Sequence, residues 1–344
     1  MKINQMKALL ELILTMETSP AVMLWGQPGI GKSQAIKQIA VAHGWGLVDL
    51  RLLLLSPIDL RGLPVPDKEH YIALWIPPSF LPRVEVHGET GILFLDEINA
   101  APPAVQAAAY QLVLDHRCGE YILPPKWKIV AAGNNSTDRA VINRMPSPLA
   151  NRLIHLEVEA ELEDWKIWAY QNHIHQDVIS FLNWKPGLLY KFPSEVQEVR
   201  AFPSPRTWEF VSSILHSFKQ VESSYPAIVG AVGEGAAAEL MAFIKIVDRL
   251  PNAELILSGN KVKVPKDPSV LYALSGGLVQ RLKVEYTLDR VHNLFKFLND
   301  IPIEFQVLTV KDCLKIGIDF QVGTGMAPPY IDWVSKHAVV LGVS

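Results

Sequence analysis

An α/β first half built on a parallel sheet, followed by a mainly helical second half, is the fold class that this 344-residue sequence predicts. Three observations carry it. Short, unbroken apolar runs at 21–25 and 91–95 have the length and continuity of strands buried on both faces, and 127–132 is a further strand candidate. Helical periods lie between them, and strands alternating with helices imply a parallel sheet covered on both sides. After about Glu159 strand signals become scarce and tryptophan-bearing helical patterns take over.

The elements follow in order. Residues 6–17 read as an amphipathic helix, 21–25 as a central strand, and a glycine-rich turn leads into a helix over 32–42 that ends near Gly44. Residues 46–55 form a second strand candidate, its apolar pattern interrupted by Asp49 and Arg51. The stretch 56–87 is rich in proline and glycine and too long for an ordinary connection, which marks it as a functional insert. Strand 91–95 follows. Pro102 and Pro103 suit the first turn of a helix reaching about Asp115. Residues 120–123 suit one side of a hairpin, and 127–132 and 153–158 bring the strand candidates to five. The second half opens with helices over 161–171 and 206–220, and the apolar stretch 227–247 reads as buried helix. A Lys-containing segment at 252–265 has the look of a hairpin. The expected domains are therefore an α/β core over 1–159, a helical region over 160–250, and a mainly helical extension over 251–344.

Composition narrows the function. Hydrophobic residues make up 49% and charged residues 19%, enough to build a core and too few charges for a mainly disordered chain. Thirty-two Lys and Arg face 35 Asp and Glu, a net charge of −3. No global basic field exists to hold nucleic acid, so a nucleic-acid partner is not expected. Cys118 and Cys313 make neither a disulfide framework nor a metal site by themselves, and two reduced thiols suit a cytoplasmic protein. Glu11 interrupts the N-terminal apolar run, and Glu234, Glu239 and Lys245 interrupt 227–247, so no membrane span is expected.

The strongest motif is Gly26-Gln27-Pro28-Gly29-Ile30-Gly31-Lys32-Ser33, with Gln34 next in the following helix. It matches G-x-x-x-x-G-K-[ST] and lies between a predicted strand and a predicted helix, the context this loop requires. A chance match of the four fixed positions in a chain of this length has a probability on the order of 1%. Glycines let backbone N–H groups close around phosphate oxygens, and the helix adds the positive end of its dipole. Lys32 would bridge β- and γ-phosphates and Ser33 would ligate Mg²⁺. The second motif, Ile92-Leu93-Phe94-Leu95-Asp96-Glu97, puts two acids at the C-terminal edge of a buried strand, where open α/β sheets bind ligands. Asp96 would orient Mg²⁺, and Glu97 would polarise an attacking water.

Asp96-Glu97-Ile98-Asn99-Ala100-Ala101-Pro102-Pro103-Ala104-Val105-Gln106 resembles the D-E-I-N-R-A-P-P-x-x-Q segment of MoxR-type AAA+ ATPases. The resemblance covers the first 160 residues and extends through the helical part to about Thr207. The remainder is similar to the extended MoxR-related ATPases of bacteria and phages. It implies a P-loop AAA+ core with a five-stranded parallel sheet, a helical lid, and self-association into a ring, usually a hexamer. It further implies ATP and Mg²⁺ as ligands. The strand 128–134 resembles the one ending in the sensor-1 Asn, which makes Asn134 a helper in placing the lytic water, with Asn135 as the alternative in register. Residues 148–153 resemble the family's segment ending in D-R-F, with Asn151 and Leu153 in place of its Asp and Phe. Arg152 is then the arginine finger, and Arg144 the alternative. Ser204-Pro205-Arg206 resembles the S-P-R motif opening a lid helix, which makes Arg206 sensor 2.

Asp59–Gly62 and Trp75–Pro78 fall in the region of the family's helix-2 insert, where either substrate contact or simple packing would account for them. Trp165, Trp168, Trp184 and Trp208 are expected in the core, and His173 and His175 at the surface. The expected activity is Mg²⁺-dependent ATP hydrolysis coupled to remodelling of a protein partner, for which the resemblance suggests a protein with a von Willebrand A domain. A nucleotide-controlled binding module with slow turnover and a nucleic-acid-linked motor are the competing readings. A small-molecule kinase fits less well, because Glu97, Asn134 and Arg152 suit water as the nucleophile.

Overall fold

The computed structural model describes residues 1–134, 143, 145–192, 200–218, 221–247, 252–322 and 325–341. The chain divides into two compact units, Met1–Ala160 and Glu161–Ser344.

The first unit runs α1 (Ile3–Leu14), β1 (Ala21–Trp25), α2 (Lys32–His43), β2 (Gly46–Arg51), α3 (Pro57–Arg61), β3 (Leu63–Asp67), β4 (Ile72–Ile76), α4 (Val84–His87), β5 (Thr90–Asp96), α5 (Pro103–Asp115), β6 (Arg117–Cys118), β7 (Tyr121–Ile122), β8 (Lys126–Gly133), α6 (Ser147–Ala150) and β9 (Leu153–Glu157). Five of these strands make one sheet in the order β2-β5-β8-β1-β9, and every neighbouring pair is parallel. The predicted α/β core with a five-stranded parallel sheet is thus the observed one.

Burial explains why some strands were plain in the sequence and others were interrupted. In the middle of the sheet β1, β5 and β8 are mostly buried; the apolar runs of β1 and β5 are continuous, and that of β8 is broken only at Lys128 after Trp127. At the edges, β2 and β9 bury only some positions, and Asp49 and Arg51 are exposed ones. The expected strand 46–55 stops at Arg51, after which Leu52–Leu54 form a turn of 3₁₀ helix. Helix α1 starts three residues earlier than its apolar pattern, because the Lys2 N–H is taken by Gln5 Oε1 at 3.2 Å. It ends at Thr15, whose hydroxyl donates back to the Glu11 and Leu12 carbonyls at 3.0 Å each. Pro102 caps α5 and Pro103 opens it, as expected. The insert 56–87 carries the antiparallel hairpin β3–β4 between two short helices.

The second unit is helical: α7 (Leu162–Gln171), α8 (Gln176–Trp184), α9 (Pro205–Ser217), α10 (Val221–Val232), α11 (Glu234–Val247), α12 (Ala253–Leu257), α13 (Pro268–Val284), α14 (Leu288–Leu298), α15 (Ile303–Lys315) and α16 (Pro328–Leu341). Two expectations need correction here. The apolar stretch 227–247 is two helices, broken at Gly233, whose φ of +81° ends α10. The hairpin expected at 252–265 is helix α12 followed by a turn and an irregular stretch. Asn252 Oδ1 caps that helix by accepting from the Glu254 N–H at 2.9 Å. Within this unit the later helices pack on the earlier ones, α13 against α8 and α15 against α7. Trp165 and Trp208 are buried as expected, and Trp184 stacks on Phe243 with ring centroids 5.7 Å apart.

A buried charge pair fastens α7 to α15. The Lys166 ammonium, fully removed from solvent, lies 2.5 Å from Asp312 Oδ1. The other carboxylate oxygen accepts from the Tyr170 hydroxyl at 3.0 Å and from Asn183 Nδ2 at 3.2 Å. Burial pushes the lysine pKa down, and Asp312 opposes that push. Among the described residues no helix is long and apolar enough to cross a membrane.

Candidate functional site

The three central strands end side by side, and each delivers one part of the site. The loop Gly26–Ser33 leaves β1, Asp96 and Glu97 leave β5, and Asn134 leaves β8, which lies between them. Parallel register sets their level: Trp25 pairs with Gly133, and Leu95 with Ala131. The C-terminal edge of an open α/β sheet is where ligands bind when neighbouring strands connect to opposite sides. Here the chain leaves β1 for β2 at one edge of the sheet, while β9, beside β1, forms the opposite edge.

The glycine-rich turn owes its course to residues without a Cβ. Gly29 and Gly31 hold φ of +79° and +107°, the left-handed region that side chains disfavour. Gly31 is the N-cap of α2, so Lys32 and Ser33 open the helix whose amides face the turn. Lys32 is largely buried and curls over the loop, donating from Nζ to the Gly26 carbonyl at 2.5 Å and the Gln27 carbonyl at 3.0 Å. It also reaches Asn134 Oδ1 at 3.5 Å. Pro28 and Ile30 shape the turn, with Ile30 buried, and Gln34 is exposed on the first helical turn.

Ser33 Oγ donates to Asp96 Oδ2 at 3.1 Å. A hydroxyl and a carboxylate oxygen side by side at a phosphate loop are the hard donors that Mg²⁺ takes when phosphates complete its shell. The residues therefore fit the ion, and among the described residues no cluster of three or more acidic, His or Cys groups offers a rival metal site. Asp96 Oδ1 accepts from the Glu97 N–H at 2.9 Å. Glu97 itself holds φ of +56°, a conformation that costs a non-glycine residue about 1–3 kcal/mol and clusters at functional sites. On the adjoining strand β2, partial desolvation of its carboxyl, although the residue is exposed overall, and the nearby Asp96 carboxylate raise the pKa of Asp49, against the lowering effect of Arg51.

The remaining expected residues lie elsewhere. Arg152 is exposed on the first unit, its guanidinium donating to the Tyr110 hydroxyl at 3.2 Å and the Pro148 carbonyl at 3.1 Å, 5.9 Å from the Tyr110 ring centre. Arg206 belongs to the second unit, on the exposed side of the first turn of α9. Pro205 opens that helix, and Ser204 and Thr207 cap it reciprocally. Asn135 and Arg144 lie outside the described residues.

Sequence reasoning passed over Asn99. It is 2% exposed, and its carboxamide grips the backbone of Asn134 from both sides. Nδ2 donates to the Asn134 carbonyl at 2.7 Å, and Oδ1 accepts the Asn134 N–H at 3.2 Å. The space it occupies is the one a side chain at Gly133 would need: a Cβ there would stand 2.8 Å from Asn99 Cγ and 2.7 Å from Met23 Cε. A glycine closing an apolar strand was the sequence signal for this contact.

No family model matches the chain. It is 25% identical over 198 residues to midasin from Giardia intestinalis, a match covering 55% of this chain and 4% of midasin's length. Among solved structures it is similar to NtrX from Brucella abortus, with a TM-score of 0.42 and 14% identity over 91% of this chain and 68% of that one. It is also similar to a RuvB variant from Thermotoga maritima, with a TM-score of 0.40 and 18% identity over 80% of this chain and 81% of that one.

Proposed function

We infer that the chain is a Mg²⁺-dependent ATPase of the MoxR-type AAA+ class, assembling into a ring, hexameric in that class, and using hydrolysis to remodel a protein partner. The observation that carries this reading is the meeting of Lys32, Ser33, Asp96, Glu97 and Asn134 at the ends of three adjacent strands.

In this reading the amides of Gly26–Ser33 and the Lys32 ammonium hold the β- and γ-phosphates of ATP. Ser33 and Asp96 would hold Mg²⁺, which when bound neutralises charge on the phosphate oxygens. Glu97 takes a proton from water as the water oxygen bonds to the γ-phosphorus and the bond to the ADP oxygen breaks. Asn134 orients that water. Arg152 reaches the γ-phosphate of a neighbouring subunit, which fits its exposure, and Arg206, by resemblance to the MoxR class, serves the nucleotide bound by its own chain. A finger of this kind is worth about 10³–10⁵ in rate, so turnover depends on assembly. The hairpin β3–β4 and a von Willebrand A domain protein are the proposed contact and client, by resemblance to the MoxR class.

The test is Glu97→Gln. ATP binding by calorimetry in Mg²⁺ buffer should persist within about threefold, while phosphate release falls by about 10²-fold or more, the loss of one general base. Unchanged turnover would remove Glu97 from the role, and absence of nucleotide uptake by folded protein would remove the whole reading.

A further inference from the structure

We propose that Asn99 is a positioning residue of this site: it fixes Asn134 relative to Glu97 by clamping the Asn134 backbone. This rests on the hydrolytic reading above and adds a member to it.

Five observations converge on the clamp. The Asn99 carboxamide pairs with both polar groups of the Asn134 peptide, at 2.7 and 3.2 Å, in the manner of one more rung of a sheet. It does so from a site 2% exposed to solvent, where an unmade hydrogen bond is costly. Gly133 leaves the room it needs. Asn99 is itself pinned, since its carbonyl accepts the Asn143 N–H at 2.7 Å. The preceding residue is fixed to the same strand, with the Ile98 N–H donating to the Ala132 carbonyl at 3.0 Å.

The chain thus leaves β5 through the left-handed turn at Glu97 and is riveted to β8 twice, at Ile98 and Asn99. β8 ends at Gly133, so Asn134 lies past its ladder. Without the carboxamide, its side chain would be free to swing away from Lys32, 3.5 Å distant. A catalytic group misplaced by about 1 Å can cost about 10²-fold in rate. Asn99 therefore couples the position of the base to that of the water-orienting Asn134 without itself meeting the nucleotide.

The experiment is a double-mutant cycle on the full chain, with turnover, ATP affinity and backbone exchange measured together. Asn99→Ala should lower kcat by about 10- to 100-fold while the dissociation constant for ATP changes less than threefold. In an Asn134→Ala background the same substitution should add less than twofold, because it acts only through Asn134. Asn99→Asp keeps the acceptor for the Asn134 N–H but sets an oxygen against its carbonyl, and should lose as much as the alanine variant. It stands in if Asn99→Ala does not fold. Amide hydrogen exchange at Asn134 should speed up at least tenfold in either variant, whatever the turnover.

Equal losses in both backgrounds, an unchanged kcat, or unchanged exchange at Asn134 would each overturn the proposal. If Asn134→Ala alone leaves kcat untouched, the role given to Asn134 fails and the inference with it. If wild-type protein binds ATP but Glu97→Gln turns over normally, the fault lies in the reading of the base.

Discussion

Asp312→Ala is the substitution whose cost the structure states most directly. It leaves the Lys166 ammonium, 0% exposed, without the carboxylate 2.5 Å away. It also leaves the Tyr170 hydroxyl and the Asn183 amide without their acceptor. Breaking a buried ion pair from one side typically costs about 3–5 kcal/mol, because the surviving charge stays buried, although here the half-exposed Glu163 carboxylate remains 3.4 Å from the ammonium. In a unit of this size each kcal/mol moves the melting temperature by about 2–4 °C, so a fall of about 6–20 °C is expected by scanning calorimetry. The contrast is the double variant Lys166→Met with Asp312→Leu, which removes both charges and replaces them with apolar volume. Such exchanges are often neutral or stabilising, although Tyr170 and Asn183 would still lack a partner here, so recovery of about half the loss is expected. A single variant melting within 2 °C of wild type, or a double variant no better than the single one, would refute the view that α7 and α15 are joined by mutual charge compensation.

Two further outcomes are expected. His175 Nδ1 accepts the Asp177 N–H at the start of α8, at 3.3 Å, while the ring of His216 lies 4.8 Å away. Burial first, and His216 second, lower the His175 pKa from 6.5 to about 4. A base with a lowered folded pKa contributes stability that is intact above the unfolded value and lost as pH falls from about 6.5 towards 4. That loss is at most about 3 kcal/mol and is reduced by partial solvent access. His175→Asn, which keeps a capping acceptor, should flatten the fall in urea midpoint across this window relative to wild type, and an identical slope would count against a half-buried imidazole held neutral. Gly133→Ala should cost about 1–3 kcal/mol through overpacking against Asn99 and Met23, read as a lower melting temperature. It should lower ATP turnover together with stability, whereas turnover at the wild-type rate would show that the Asn99 carboxamide has slack.

What was legible in the sequence was what is local in it. The loop Gly26–Ser33 and the pair Asp96-Glu97 each lie on one short segment whose apolar run and turn chemistry predict its path, so their place at a sheet edge could be read directly. The sheet itself followed from β1 and β5, whose burial on both faces leaves no polar break within 21–25 or 91–95, and from β8, whose apolar run resumes after Lys128. Asn99 escaped because its role depends on where a strand 35 residues away happens to end. The Lys166–Asp312 pair escaped for the same reason: Tyr170 and Asp312, two members of that network, are 142 residues apart. Periodicity also blurred where a helix turns under one residue, as at Gly233, and where a single cap decides between hairpin and helix, as at Asn252.

The posture of Lys32 has a consequence for how tightly any anion can be held. Its ammonium is already solvated by two peptide oxygens of its own loop, so an incoming phosphate does not strip water from a bare charge. It exchanges one oxygen shell for another, and the displaced carbonyls of Gly26 and Gln27 must then find water. Affinity at this lysine is thus a difference between two good ligand sets. A stiffer or looser turn at Gly29 would tune it as surely as a change in the lysine itself.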